Sequence, residues 1–422
     1  MSLTLPRLVY GAGWRAALPF LMRNARLAAG MAQRTLETPL PRADLWLQAS
    51  SAGEAALAVE LARNLPSRGT VTILVTTSTD QGYGLVEQAA AGLAAERPGL
   101  RLIPAYQPFD APRLAARAVD QVRPKALVLL ETELWPGLLL ACREAGVPVV
   151  VVNGRMATKS LARYLLWPRL WREVAPERVL AVSEADSLRF SALFGAGRVA
   201  VMPNMKFDRV ATSASENPAG AALSRLLPED TPFLVLGSVR EQEEAALSGV
   251  LSRVLAARPE TVVGLYPRHM YRITGWRARL TSWQLPWVLR SKADGVLAPG
   301  TVLLGDVFGE LAAAYVLARA AFVGGSLARL GGQNFLEAAA AGVVPVIGPH
   351  WKNFAWVGRE ILAEGLAVEV PGPDALAGAL LARLAEPESR PAVRARLAVF
   401  VDSRRGGTRQ ACETLASFLD RA

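Results

Sequence analysis

Three carboxylates and two glycine pairs carry the chemistry legible in this chain. The first acid closes the run Gln48-Ala49-Ser50-Ser51-Ala52-Gly53-Glu54, directly after an apolar stretch. Gly53 allows a tight backbone turn, and Glu54 falls at the start of a helical pattern. A carboxylate there can take a proton from an acceptor hydroxyl. It can equally be a first-turn acid favoured by the helix dipole, and the residue types leave both readings standing. Two further acids stand in Glu131-Thr132-Glu133-Leu134-Trp135-Pro136, after the apolar run Ala126–Leu130. Both emerge at the carboxyl end of a strand, with Pro136 at a first helical position. One of them can also be a cap for the next helix.

A second constellation lies late in the chain. Gly324-Gly325-Ser326-Leu327 ends a strand, and Gly331-Gly332-Gln333-Asn334-Phe335-Leu336-Glu337 opens a helix. Bare backbone amides there suit a phosphate, and Glu337, one turn in, suits ribose hydroxyls. Gly305-Asp306-Val307-Phe308-Gly309-Glu310 is another strand–loop–helix junction, and Pro267-Arg268-His269 sets a cation where a leaving phosphate needs one. There is no Walker-type loop and no Gly-x-Gly-x-x-Gly after a strand.

The elements that must position these residues alternate along the chain. Candidate strands are Leu45–Ala49, Val71–Thr76, Leu100–Pro104, Ala126–Leu130, Pro148–Val152 and Val179–Val182, with helical patterns such as Glu54–Asn64 and Pro136–Ala145 between them. The alternation restarts with Phe233–Leu236, Val262–Tyr266, Val302–Leu304, Ala321–Val323 and Val344–Ile347. Strand–helix alternation at this spacing predicts an α/β fold of two doubly wound, Rossmann-like domains with parallel sheets. The small polar stretch Ala211–Gly220 reads as the linker. The expected division is a segment 1–40, a first domain 41–210, a second 221–400, and a last helix 401–422 able to pack back on the first domain. Ligands bind at the carboxyl ends of such strands, so the expected site is the cleft where the two domains face each other.

Composition narrows the partners. The 422 residues are 51% hydrophobic and 20% charged, which suits two packed domains and not a disordered chain. Cys142 and Cys412 share no motif, and with only two histidines, His269 and His350, a metal cluster is not expected. The net charge of +10 favours anionic partners such as acidic lipid or a phosphorylated substrate, with no nucleic-acid signature beside it. Leu8 to Met22 is apolar but carries Arg15 and Pro19, too short to span a bilayer. With Trp14, Phe20, Arg23 and Arg26 it reads as a helix lying in a membrane interface, or as an amphipathic helix packed on the protein body.

The ordered set of segments resembles the bacterial 3-deoxy-D-manno-octulosonic acid (Kdo) transferases of the GT-B fold. Ser51-Ala52-Gly53-Glu54, Val75-Thr76-Thr77-Ser78-Thr79, Tyr106-Gln107-Pro108-Phe109-Asp110, Glu131-Thr132-Glu133-Leu134-Trp135-Pro136, Val152-Asn153-Gly154-Arg155 and Asn204-Met205-Lys206-Phe207-Asp208 follow the family's order. So do Gly305-Asp306 to Glu310, Phe322 to Ser326, Gly331 to Glu337 and Gly348-Pro349-His350. Gln48, Pro203, Ser238-Val239-Arg240-Glu241, Phe308 and Gln333 depart from the family's usual residues.

The resemblance implies inverting transfer of Kdo from CMP-Kdo to a lipid A precursor (lipid IVA), in lipopolysaccharide assembly on the cytoplasmic face of the inner membrane. It implies no metal and no cofactor beyond that co-substrate. It makes Glu54 the base, with Glu131 and Glu133 shaping the reacting site. Lys206, Ser238, Arg268, Gly305, Gly309, Glu310, Gly325, Gly331, Gly332, Asn334 and Glu337 would hold the donor. Ser51, Gly53, Thr77 and Arg155 would meet the acceptor or the sugar. Two other readings keep the fold: a glycosyltransferase or epimerase using a UDP-sugar, and an inactive membrane-associated nucleotide-binding protein.

Overall fold

The structure, a computed structural model, describes residues 4–66, 69–213, 218–228 and 230–420. The chain forms two compact units, residues 1–208 with 405–422, and residues 209–404.

The first unit is built on a seven-stranded parallel sheet. Its strands are β1 (Leu45–Ala49), β2 (Val71–Thr77), β3 (Leu100–Tyr106), β4 (Ala126–Leu130), β5 (Val149–Gly154), β6 (Arg178–Ala181) and β7 (Val199–Val201), in the order β3-β2-β1-β4-β5-β6-β7. β1 and β4 are buried along their whole length, as apolar strands covered on both faces must be. Side chains alternate between two cores. Leu45, Leu47, Ala126, Val128 and Leu130 face the helix Ala52–Asn64, while Trp46, Leu127 and Leu129 face the helices Pro112–Val122 and Pro136–Glu144. The strand order reverses between β1 and β4, so the loops after these two strands diverge and leave a crevice at their carboxyl ends.

The chain returns to this unit at its end. Asp208 accepts hydrogen bonds from the amides of Gly406 (2.7 Å) and Thr408 (2.6 Å), and the helix Gly407–Leu419 buries Ala411, Cys412, Leu415 and Phe418 in the core beside Leu61. At the other end, the helix Thr4–Met22 is keyed onto the same unit. Arg7 pairs with Glu144 and Glu173, Tyr10 donates to Asp110 (2.5 Å), and Trp14 packs on Phe109. Leu36 and Leu40 are core residues, so residues 4–40, expected as a segment of their own, are part of this unit. No helix among the described residues is long and apolar enough to cross a membrane.

The second unit carries a second parallel sheet: β8 (Phe233–Val239), β9 (Val262–Pro267), β10 (Trp287–Leu289), β11 (Val302–Leu304), β12 (Ala320–Val323), β13 (Pro345–Ile347) and β14 (Val368–Glu369), in the order β10-β11-β9-β8-β12-β13-β14. Here the reversal falls between β8 and β12. Three short strands, β7, β10 and β14, were not expected from the sequence; each has two or three residues and lies at a sheet edge, too brief to show periodicity. The expected linker 211–220 falls partly on residues 214–217, outside the described residues, and its end is already helical in Pro218–Ser224.

Candidate active site

In the first unit the loops after β1 and β4 bring the acids together. Ser51 caps the helix Ala52–Asn64: its Oγ accepts from the Glu54 amide at 3.3 Å. Glu54 returns the bond, its Oε2 accepting from the amides of Ser50 (2.6 Å) and Ser51 (3.2 Å). This reciprocal cap fixes the carboxylate at the crevice and leaves Oε1 with no hydrogen-bond donor among the described residues. Ser50 also donates through Oγ to Glu133, whose Oε2 accepts from Trp135 Nε1 at 2.8 Å. Ser50 therefore bridges two carboxylates, one through its amide and one through its hydroxyl. Ser78, at the end of β2, donates to Gln107 (2.6 Å) and lies 3.3 Å from the Ser50 hydroxyl.

The electrostatic consequence is large. Burial and the neighbouring charge of Glu133 push Glu54 up to about 7, against the two amide bonds that favour its ionised form. Burial also holds Glu133 above the ordinary carboxylate range, against its bonds from Ser50 and Trp135. A carboxylate near pH 7 is half ionised there and can both accept and release a proton. Removing the Glu133 charge lowers Glu54. Glu133→Gln is therefore expected to move the acid limb of the pH–kcat/KM profile to lower pH. Burial is the larger cause, so the limb should stop short of 4.5; an unmoved limb would disconnect the two carboxylates.

Glu131 is occupied differently. It is buried, sits at φ +56° at the end of β4, and pairs with Arg155 (2.5 Å) and Lys206 (2.6 Å). Left-handed backbone is costly for a glutamate, and two ion pairs hold it there. Its carboxylate holds two cations beside the acid pair, one on each oxygen. Lys206, expected at the donor, lies in the first unit, in the turn Met205–Arg209 after β7, where Glu131 holds it. Thr77, expected at the acceptor, is fully buried with its hydroxyl donating to the carbonyl of Thr79 (3.3 Å). Gly53 has no left-handed φ, and an added Cβ would meet only Ser51 Oγ at 3.8 Å. The turn does not require it; it leaves bare surface beside Glu54.

Asp110 ties the acid loop to the amino-terminal helix. Its carboxylate accepts from the amides of Gly137 (2.8 Å) and Leu138 (2.6 Å), the first turn of the helix after Glu133, and from Tyr10. Burial raises it to about 6. A hollow of about 1060 Å³ in this unit, lined by Lys125, Pro148 and Glu177, opens at the amino ends of β4 to β6 and shares no residue with the acids.

In the second unit the loops after β8 and β12 meet at the strand reversal. Ser238 sits at φ +53° in a bulge at the end of β8. Beyond it the buried Glu243 accepts from the amides of Arg240 (3.0 Å), Gly325 (2.6 Å), Ser326 (2.9 Å) and Leu327 (2.9 Å). The Gly325 amide, expected to face a donor phosphate, is therefore already taken by a protein carboxylate. Glu243 escaped the sequence reading, although an acid three residues past Arg240 fits the capping pattern. The Gly332 amide also turns inward, donating to Gly325 O at 2.7 Å. Gly331 (φ +92°) and Gly332 (φ +79°) are glycines because the turn at Trp351–Asn353 presses on them: an added Cβ on Gly332 would lie 2.9 Å from Trp351 Cα.

What this edge presents outward is side chains. Exposed Asn334 donates to exposed Glu337 (2.8 Å). Desolvation, and then the charges of Arg240 and Arg268, hold His269 below its ordinary value. Glu310 is buried against Arg290 (2.9 Å), and Gly305 is a glycine because the Tyr266 ring lies over it. Gly309, at φ +84°, turns the loop that leads to Glu310. The expected donor residues thus sort into an exposed set (Arg268, Asn334, Glu337) and a supporting set (Gly305, Glu310, Gly325, Gly332), with Ser238 and Gly331 at the bulge and the turn.

Two Rossmann-like units, each built on a parallel sheet with loops meeting at a strand reversal, make up the GT-B fold. The fold matches the crystal structure of a glycosyltransferase from Rickettsia africae ESF-5 with a TM-score of 0.57 at 10% identity, covering 91% of this chain and 100% of that one. A family model described as 3-deoxy-D-manno-octulosonic-acid transferase (kdotransferase) matches residues 15–209. The chain is 33% identical to the 3-deoxy-D-manno-octulosonic acid transferase of Bordetella pertussis over 95% of either chain. It is 28% identical to the Haemophilus influenzae transferase of that name, over 90% of this chain and 88% of that one. The chain belongs to the 3-deoxy-D-manno-octulosonic acid transferase family.

Proposed function

We propose that this enzyme transfers Kdo from CMP-Kdo to a phosphorylated lipid A precursor, lipid IVA, with Glu54 as the general base. The observation that carries the reading is the Glu54 carboxylate, capped in place, one oxygen free, and poised at about 7. In the reaction, Glu54 takes the proton of the acceptor hydroxyl as that oxygen bonds to the anomeric carbon. The bond from that carbon to the phosphate oxygen breaks, and CMP leaves with the electron pair. Glu133 adds negative charge where positive charge develops on the sugar, and Arg155 and Lys206 offer cations to the acceptor's phosphate. Arg268, Asn334 and Glu337 hold the CMP portion, over the loop that Glu243 organises. CMP leaves as a monophosphate, so these groups serve without a metal.

A membrane-bound acceptor fits the amino-terminal helix. Its Leu8 (68% exposed), Val9, Phe20 (76%) and Met22 face outward, flanked by Arg15 and Arg23. Such a face inserts at the boundary of headgroups and acyl chains, and the basic residues favour an anionic leaflet. We place the protein peripherally on the cytoplasmic face of the inner membrane.

One experiment tests both parts: purified protein with CMP-Kdo generated in situ and a tetraacylated lipid A precursor in anionic vesicles. Kdo-lipid product from the wild type is expected. Leu8→Asp/Phe20→Asp should sediment less with the vesicles yet act normally on detergent-dispersed acceptor. Binding of CMP without product would overturn the acceptor, and failure to bind CMP would overturn the donor.

A further inference from the structure

A cavity of about 440 Å³ in the second unit opens between the loop after β12 and the turn after β13. Its walls include Arg329, His350, Trp351, Lys352 and Arg359, and no carboxylate. Arg359 is neutralised from behind by Glu369 (3.1 Å). Arg329 and Lys352 are different. Both are exposed, and neither side chain has an ion pair or hydrogen bond among the described residues. Unpaired cations at the rim of a concave site define an anion subsite, and Pro349, Trp351 and Ala355 add apolar lining to it.

The cavity shares Gly331 with the loop that leads to Asn334 and Glu337, whose exposed polar ends suit hydroxyl groups. Cations beside hydroxyl-binding groups fit a polyhydroxylated anion better than a neutral sugar, which would leave the cations unpaired. We propose that Arg329 and Lys352 select the donor by binding the carboxylate of its acidic sugar, apart from the nucleotide phosphate. This rests on the reading that the donor is a CMP-activated sugar acid.

The experiment compares Arg329→Ala and Lys352→Ala with the wild type, measuring CMP affinity by calorimetry and donor KM in the transfer assay. Removing either cation is expected to raise donor KM about 10-fold or more, with CMP affinity unchanged and Arg329→Lys largely restoring KM. Unchanged CMP binding shows that the loops remain folded. If CMP affinity falls as far as donor affinity, the cavity holds the phosphate and the proposal is overturned. If wild type and variants transfer alike, the cavity lies outside the donor site, while the CMP-Kdo reading stands. If the wild type itself binds no CMP, both readings fall together.

Discussion

Glu54→Gln is expected to lower turnover by about 10²- to 10⁴-fold, the range a positioned general base supplies, while CMP affinity stays at the wild-type value. The substitution is chosen for the geometry. A glutamine keeps an oxygen to accept from the amides of Ser50 and Ser51, so the reciprocal cap survives and only proton acceptance is lost. Glu54→Ala would remove the cap as well and cost about 1 kcal/mol of local stability, which confuses the reading. Stability gives an independent check. The folded-state value of Glu54, about 7, is raised above the ordinary 4.5, so its contribution is full below pH 4.5 and lost as pH rises through 7. The glutamine variant should therefore gain in Tm relative to wild type between pH 5 and pH 8. Normal turnover in Glu54→Gln would remove the base from the mechanism.

The second large effect belongs to a residue that touches no substrate. Glu243→Ala strips the acceptor from four amides, those of Arg240, Gly325, Ser326 and Leu327. Each buried N–H left without a partner costs about 1–3 kcal/mol. A loss of about 3–5 kcal/mol is expected for the loop, similar to removing one partner of a buried charged pair. Hydrogen exchange at Gly325–Leu327 should accelerate at least about 100-fold, and CMP affinity should fall with it. Protection that persisted at those amides would show that the loop holds its shape without the carboxylate.

The sequence made the frame legible because the frame is periodic. β1 and β4 could be placed to the residue, since both are short apolar runs bounded by polar residues. The Glu54 and Glu133 loops were also visible, because acids at strand ends contrast with what precedes them. What stayed hidden was the direction in which backbone amides point. Gly325 and Gly332 looked like open phosphate donors, yet a distant carboxylate and a neighbouring carbonyl claim them. No local pattern pairs Glu243 with Gly325, residues 82 positions apart. The ion pair between Lys206 and the buried Glu131 stayed hidden for a related reason: the two residues lie far apart in the chain and no local pattern joins them. Gly53 was a glycine read correctly in place and wrongly in purpose, since its backbone needs no special φ.

The helix Gly407–Leu419 sets when the first unit can be closed. It supplies Ala411, Cys412, Leu415 and Phe418 to a core otherwise built from residues before 206. Domains emerging from a ribosome ordinarily fold in the order they are made. Here the first unit waits with an open apolar face until residues 407–419 are released, after the whole second unit has been synthesised. A chain cut short anywhere in its second half leaves that face uncovered, so incomplete translation products expose a sticky surface that quality control can recognise. The unit that carries the acid pair is thus closed only after the second unit has been made.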